Sequence, residues 1–324
     1  MKIEYYIYEL MAKAPIESKN VYAKREGALL KFIFDDGKVG YADCHPWVEL
    51  KQVCLSEQLD LLKQNTFTDV TRRSLYYAKI DADARSKKIN LLNGLTVPLS
   101  HFFIENLFKV DFKEIAKRVS EGFNCFKVKL GRNLSEEMPI LLNLMSSFPE
   151  IKFRLDFNLK ISISDFEGVL KALKHNSARI DFFEDPFKFD PQEWKLFQKQ
   201  GLEFAIDYDS ESGIVHPEAA RVLVIKPAVQ DDSHFSKTSQ KLVYTTCLDH
   251  PLGQTAAAWS AAIASKDFKG PVALCGLLSH HTYHSNPFSE QLATSGPAFK
   301  APVGTGFGFD RLLQQQPWKA LCKL

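Results

Sequence analysis

Five short apolar runs, at residues 125–130, 151–157, 180–183, 203–206 and 222–225, recur with amphipathic stretches between them, and this rhythm admits few folds. Each run has the length of a strand and each gap holds a helix, so the chain repeats a strand–helix unit in one direction. Two further runs, at 242–246 and 272–275, extend the series. Parallel strands joined in this way build an open doubly wound sheet or a closed (β/α) barrel. The even spacing favours the barrel, and no glycine-rich phosphate loop follows any of the strands, which counts against a dinucleotide or P-loop fold. Helix starts are written into the gaps: Ser164 with Glu167 reads as a capping box, and Asp190, Pro191 and Glu193 as an N-cap, a first-turn proline and an N3 acid.

Residues 1–95 have another texture. Apolar and polar residues alternate over 1–43, and Asp35-Asp36-Gly37-Lys38 between residues 29–34 and 39–42 reads as a hairpin turn, since Asp-Gly supplies the positive φ it needs. Helical patterns follow at 56–64 and 70–92. The expected organisation is therefore α/β, with an α+β domain over 1–95 and a (β/α) barrel over 96–290.

Composition narrows the function. The chain of 324 residues carries a formal net charge of +2 and lacks the single-sign block that a nucleic-acid groove or an anionic membrane surface requires, so neither partner is expected. No apolar run reaches the roughly 20 residues that span a bilayer, and charge interrupts the first ten residues, so the chain reads as cytoplasmic. Its six cysteines, without a CxxC pair, read as buried thiols in a reducing compartment.

The functional signal is where ionisable residues fall on the strands. In Phe126-Lys127-Val128-Lys129-Leu130 the period of two sends the apolar side chains towards the helices and both lysines into the barrel, where charge is tolerable only at the mouth. The next runs end in Asp156, Glu184, Asp207 and Lys226, each 19–28 residues after the last, about one strand–helix unit. One charged group per strand end makes a ring at one rim. Three converging carboxylates repel unless a divalent cation joins them, and an oxygen-only donor set suits Mg²⁺, with Mn²⁺ accepted by the same donors. With three lysines nearby such a site wants an anion. A carboxylate substrate would lose its α-proton to a lysine, whose pKa a second ammonium and a dication push down.

Lys127-x-Lys129, Asp156-x-Asn158, Glu184-Asp185-Pro186, Asp207 and Lys226-Pro227, in that order, resemble the enolase superfamily. Within it the chain is most similar to the o-succinylbenzoate synthases of menaquinone biosynthesis, through Lys127-Val128-Lys129-Leu130-Gly131 and the element from Gly40 to Pro46. The resemblance implies a modified TIM barrel capped by the N-terminal unit, with residues 291–324 returning to that cap. It implies Lys129 as the base that removes an α-proton and then helps a hydroxyl leave as water, Lys127 as its support and Lys226 as a stabilising charge on the opposite face. Asp156, Glu184 and Asp207 match the metal ligands, with Asp209 a rival to Asp207. Asn158, Asp249 and His250 fall where substrate contacts are expected. The implied reaction is a Mg²⁺-dependent syn-dehydration of a small carboxylate; dipeptide epimerisation or N-acylamino acid racemisation would use the same ring, and Lys226 as a Schiff-base former would make an aldolase.

Each piece also has an ordinary reading. The two lysines would suit an exposed strand, Asp156 and Asp207 are good helix caps, and Glu184-Asp185-Pro186 and Lys226-Pro227 are common turn or strand-end chemistry. His280, His281 and His284 read as a polar loop, and His45 as a turn residue. The ordered set, not any member, carries the functional expectation.

Overall fold

The computed structural model describes residues 1–13, 24–207 and 209–324. The expected alternation over 14–23, and Tyr208 beside Asp207, lie outside the described residues. Strands β1 (Lys2–Met11), β2 (Lys24–Ile33) and β3 (Val39–Cys44) form an antiparallel sheet covered by α1 (Leu55–Lys63) and α2 (Asp69–Ser86). The β2–β3 turn is the expected one: Gly37 sits at φ 80° and the Lys38 amide donates to Asp36 Oδ1. Helix α2 stops at Ser86 rather than near residue 92, because Lys88 turns the backbone left-handed at φ 57°.

The second layer is a parallel sheet of seven strands in sequence order: β4 (Phe102–Ile104), β5 (Cys125–Lys129), β6 (Lys152–Asp156), β7 (Ile180–Glu184), β8 (Phe204–Ile206), β9 (Val222–Ile225) and β10 (Lys241–Tyr244). Intervening helices include α3 (Phe112–Ser120), α4 (Leu134–Ser147), α5 (Ile163–Ala172), α6 (Pro191–Lys199) and α7 (Ser210–Val215). The sheet curls until its ends meet through residues 272–276, which bridge to β10 on one side (Leu242↔Val272, Thr245↔Gly276) and to Ser100 on the other (Ser100↔Cys275). The expected eighth strand is thus three isolated bridges. Helix α8 (Pro251–Asp267) lies before this seam, α9 (Pro287–Leu292) and α10 (Asp310–Gln314) after it, and β11 (Lys319–Lys323) pairs antiparallel with β1.

Alternation along the strands builds two packed layers. Inside the barrel lie Phe182, Ala205, Val222, Val224 and Val243; outside, between sheet and helices, Phe166 packs edge to face on Phe183 and Trp194 packs tilted on Phe204. Asp190 caps α6 as expected, accepting from the amides of Gln192 and Glu193. The box expected at Ser164 and Glu167 stands two residues earlier, on Ser162 and Asp165, whose short side chains exchange bonds with each other's amides. Cys54 is exposed, against the expectation of buried thiols throughout.

Candidate active site

The register of the parallel strands sets charged side chains at one height. Lys129 pairs with Asp156 and Asp156 with Glu184 on successive strands, while Asp207 and Lys226 directly follow β8 and β9. Lys127 Nζ stands 3.0 Å from Asp156 Oδ2 and 2.6 Å from Glu184 Oε1; Lys226 Nζ stands 2.5 Å from Asp207 Oδ2. The structure therefore brings together Lys127, Asp156 and Glu184 on one side and Lys226 with Asp207 on the other, while Lys129 reaches the same mouth beside Asp156. Asp209 instead caps α7, exposed, and accepts from Ser212. Lys127, Lys129, Asp156, Asn158, Asp207 and Lys226 all border one cavity of about 420 Å³, roofed by Trp47, Glu49 and Leu50 of the N-terminal domain. Asn158, left-handed at φ 47°, donates its backbone N–H to Asp156 Oδ1 at 3.1 Å.

Burial and charge oppose each other here. Burial would discharge Lys127, but the carboxylates of Asp156, Glu184 and Asp207 overcome it and hold the ammonium above its ordinary pKa. Lys226 is held charged in the same way, chiefly by Asp207. Asp156, buried between Lys127 and Lys129, stays below the usual carboxylate range; burial pushes Glu184 up to about 7 although Lys127 pulls it back.

Whether these groups suit a divalent cation can be judged from their donors. As placed, no three carboxylate, imidazole or thiol groups among the described residues stand close enough to grip an ion together. Lysine ammoniums now neutralise the acids. The donor set is all oxygen, however, and Asp207 Oδ1 is buried with no hydrogen-bond partner among the described residues, a vacant lone pair that a hard cation would satisfy. Asp156, Glu184 and Asp207 therefore fit such an ion, with Lys127 and Lys226 as the groups it would displace.

Asp249 and His250 are not brought to this cavity. Both are buried where the N-terminal domain meets α8: Asp43 Oδ2 accepts from the His250 amide, Tyr8 donates to Asp43 Oδ1, and His45, far from a surface turn, bonds Tyr8. Both oxygens of Asp249 lack partners among the described residues. A Cβ at Gly253 would lie 2.7 Å from Asp43 Oδ2 and 2.9 Å from Asp249 Oδ2, so only glycine lets two carboxylates crowd this helix start. Burial raises Asp249 to about 7, and Asp43 well above its ordinary value, so at neutral pH the pair retains a proton that the unfolded chain has lost. With the folded pKa above the unfolded one, stability falls as pH rises from about 4 to 7 and the penalty is complete above that. Asp249→Asn removes the penalty. Its Tm should exceed that of the parent by about 2–4 °C per kcal/mol relieved at pH 8 and lose the advantage near pH 4; a parent equally stable at both pH values would exclude the unpaired acid.

Sequence reading missed Glu105, His101 and the Thr245–Thr246 pair, all of which line the cavity. Glu105 had a signal: His101-Phe102-Phe103-Ile104-Glu105 is another apolar run ending in an acid, hidden because β4 has three residues.

The residues matched by a family model, 3–84, are those of an O-succinylbenzoate synthase N-terminal domain. An o-succinylbenzoate synthase of Bdellovibrio bacteriovorus is 34% identical over 99% of each chain. Among solved structures, a dipeptide epimerase from Enterococcus faecalis, complexed with Mg and L-Leu-L-Tyr, superposes with a TM-score of 0.75 at 16% identity, covering 95% of this chain and 98% of its own. An N-succinyl Arg/Lys racemase from Bacillus cereus gives 0.71 at 17%, covering 99% and 100%. These two share the capped barrel.

Proposed function

The chain belongs to the o-succinylbenzoate synthase family, and from that premise we propose how its residues carry out the dehydration of 2-succinyl-6-hydroxy-2,4-cyclohexadiene-1-carboxylate to o-succinylbenzoate. The enzyme is a lyase acting on a small molecule, and among the described residues no helix is long and apolar enough to cross a membrane. The observation that carries the assignment of roles is that Lys129 and Lys226 border one cavity, and that β6, β7 and β8, at whose ends the three carboxylates lie, come between their two strands.

Lys129, as the base, takes the α-proton; the electron pair flows into the adjacent carboxylate. Lys226, at the end of β9, would place its positive charge against the oxygens on which that charge develops. The Lys129 ammonium then gives its proton to the departing hydroxyl, which leaves as water while the ring becomes aromatic. Lys127, a second ammonium on the same strand face two residues from Lys129, supports the base by its charge. Asn158, with its backbone on Asp156, and the roof residue Trp47, whose indole donates to Cys247 O at 2.6 Å, border the substrate and limit water. The family's divalent metal, which we take to be Mg²⁺ with Mn²⁺ equivalent, would be held by Asp156, Glu184 and Asp207 and supplies positive charge for the substrate carboxylate.

The test is direct: offered the cyclohexadiene carboxylate with Mg²⁺, the enzyme should generate the ultraviolet absorbance of the aromatic product. Chelation should abolish it and added Mg²⁺ restore it. Borohydride should trap no adduct, because a charged Lys226 is no imine-forming nucleophile; an adduct would favour the aldolase. Deuterium washing into dipeptides without loss of water, in place of aromatisation, would favour an epimerase.

A further inference from the structure

Glu105 has no part in the reading above, yet it faces the base. Ile104 pairs with Val128, so the next residues in register are Glu105 and Lys129. Glu105 Oε2 lies 3.8 Å from Lys129 Nζ, and both side chains are largely buried, 12% and 17% exposed. That oxygen has no hydrogen-bond partner among the described residues and borders the cavity. The other end of the carboxylate is fixed: Arg132 Nη2 donates to Oε1 at 2.8 Å and Arg132 Nη1 to the Glu105 carbonyl at 2.7 Å. A planar fork that holds one oxygen and the backbone leaves the second oxygen aimed at a single place.

A buried carboxylate oxygen without a donor is costly, and it is kept where a donor arrives during the working cycle. Among the described residues the side-chain cation recorded within 4 Å of that oxygen is Lys129, which becomes an ammonium donor when it takes the α-proton. Resting on the assignment of Lys129 as base, we propose that Glu105 is a positioning residue that holds the transient Lys129 ammonium on the face of the departing hydroxyl, so that the abstracted proton goes to the leaving group rather than to solvent. The balance is closed without any further reactant. The α C–H bond breaks and its proton joins the Lys129 lone pair; the electron pair passes through the substrate carboxylate into the new ring double bond; the C–O bond breaks, and the hydroxide leaves with the Lys129 proton as water. Glu105 remains a carboxylate throughout, accepting one ammonium N–H and leaving the others to point at the hydroxyl. Burial pushes Glu105 up to about 7, and positive charge on Lys129 or Arg132 pulls it down, so the carboxylate and an ammonium beside it favour each other.

The experiment uses Glu105→Gln, which keeps the shape and the Arg132 contact but loses the charge, and Arg132→Gln, which releases the carboxylate. Each is assayed for dehydration and, in deuterium oxide, for isotope appearing at the α-carbon of unreacted substrate. The expected result is a kcat about 10–100-fold lower with KM within twofold, and a ratio of exchange to dehydration at least about tenfold higher, because a loosened ammonium trades its proton with solvent before delivering it. Arg132→Gln should move the ratio in the same direction by less. Exchange and dehydration falling together in both variants, or an unaltered kcat, would overturn the proposal. Lys129→Ala separates this from failure of the underlying assignment: retention of exchange there would remove Lys129 as base, whereas loss of both reactions there with a normal ratio in Glu105→Gln would remove only the role of Glu105.

Discussion

Lys129→Ala should lower turnover by at least about 10³-fold with the fold intact. A positioned general base supplies roughly 10²–10⁴-fold, and here one amine serves both proton abstraction and proton return, so its removal takes both. The fold should tolerate the change because, among the described residues, the ion pair recorded for Lys129 is a long one, to Glu105 at 3.8 Å, and Arg132 still holds that carboxylate when the amine is gone. Circular dichroism and Tm close to the parent, together with absent aromatisation, would meet the expectation. Retention of a tenth of parental turnover would reassign the base.

The second large effect concerns stability. Lys127→Met takes from Asp156 and Glu184, both buried, the one ammonium that bridges them. Breaking a buried ion pair from one side typically costs about 3–5 kcal/mol, and here one ammonium serves two acids. The metal-free variant should unfold at markedly lower temperature or denaturant than the parent. If the carboxylates are metal ligands, Mg²⁺ should raise the variant's Tm by more than it raises the parent's, since no internal ammonium competes for the same oxygens. The measurement is thermal unfolding with and without Mg²⁺, free of any assay. Equal Mg²⁺ shifts in parent and variant would take Asp156 and Glu184 out of the ligand set.

Much of this architecture was legible because its signals are local. Alternation within residues 126–130 placed two lysines on the inner face, and strand ends recurring at Asp156, Glu184, Asp207 and Lys226 placed the rim, since parallel register turns equal spacing into equal height. What stayed hidden depends on partners remote in sequence. Lys127 bridging two acids from the next two strands is a fact of packing, not of pattern. Asp249 and His250 follow a strand in the expected way, but the amide of His250 is claimed by Asp43 from the other domain, 207 positions away, which draws the segment out of the cavity. Glu105 escaped notice because a three-residue strand has too few side chains to show a period. The Ser162 cap was misplaced by two residues because Ser162 and Ser164 are each followed three positions on by an acid, and only the backbone decides between them.

The closure of the barrel by three bridges instead of a full strand gives it two unlike halves. The acids and lysines rise from β5 to β9, which pair as regular strands, while the wall made by 272–276 meets its neighbours through isolated bridges and backbone bonds such as Ala273 N–H to Leu242 O and Cys275 N–H to Leu99 O. The reacting groups thus stand on regular strands, and the wall that closes the barrel is irregular chain. Substitutions along that irregular wall can reshape which molecules fit without disturbing the reacting groups, a division of labour by which one chemistry can be lent to many substrates.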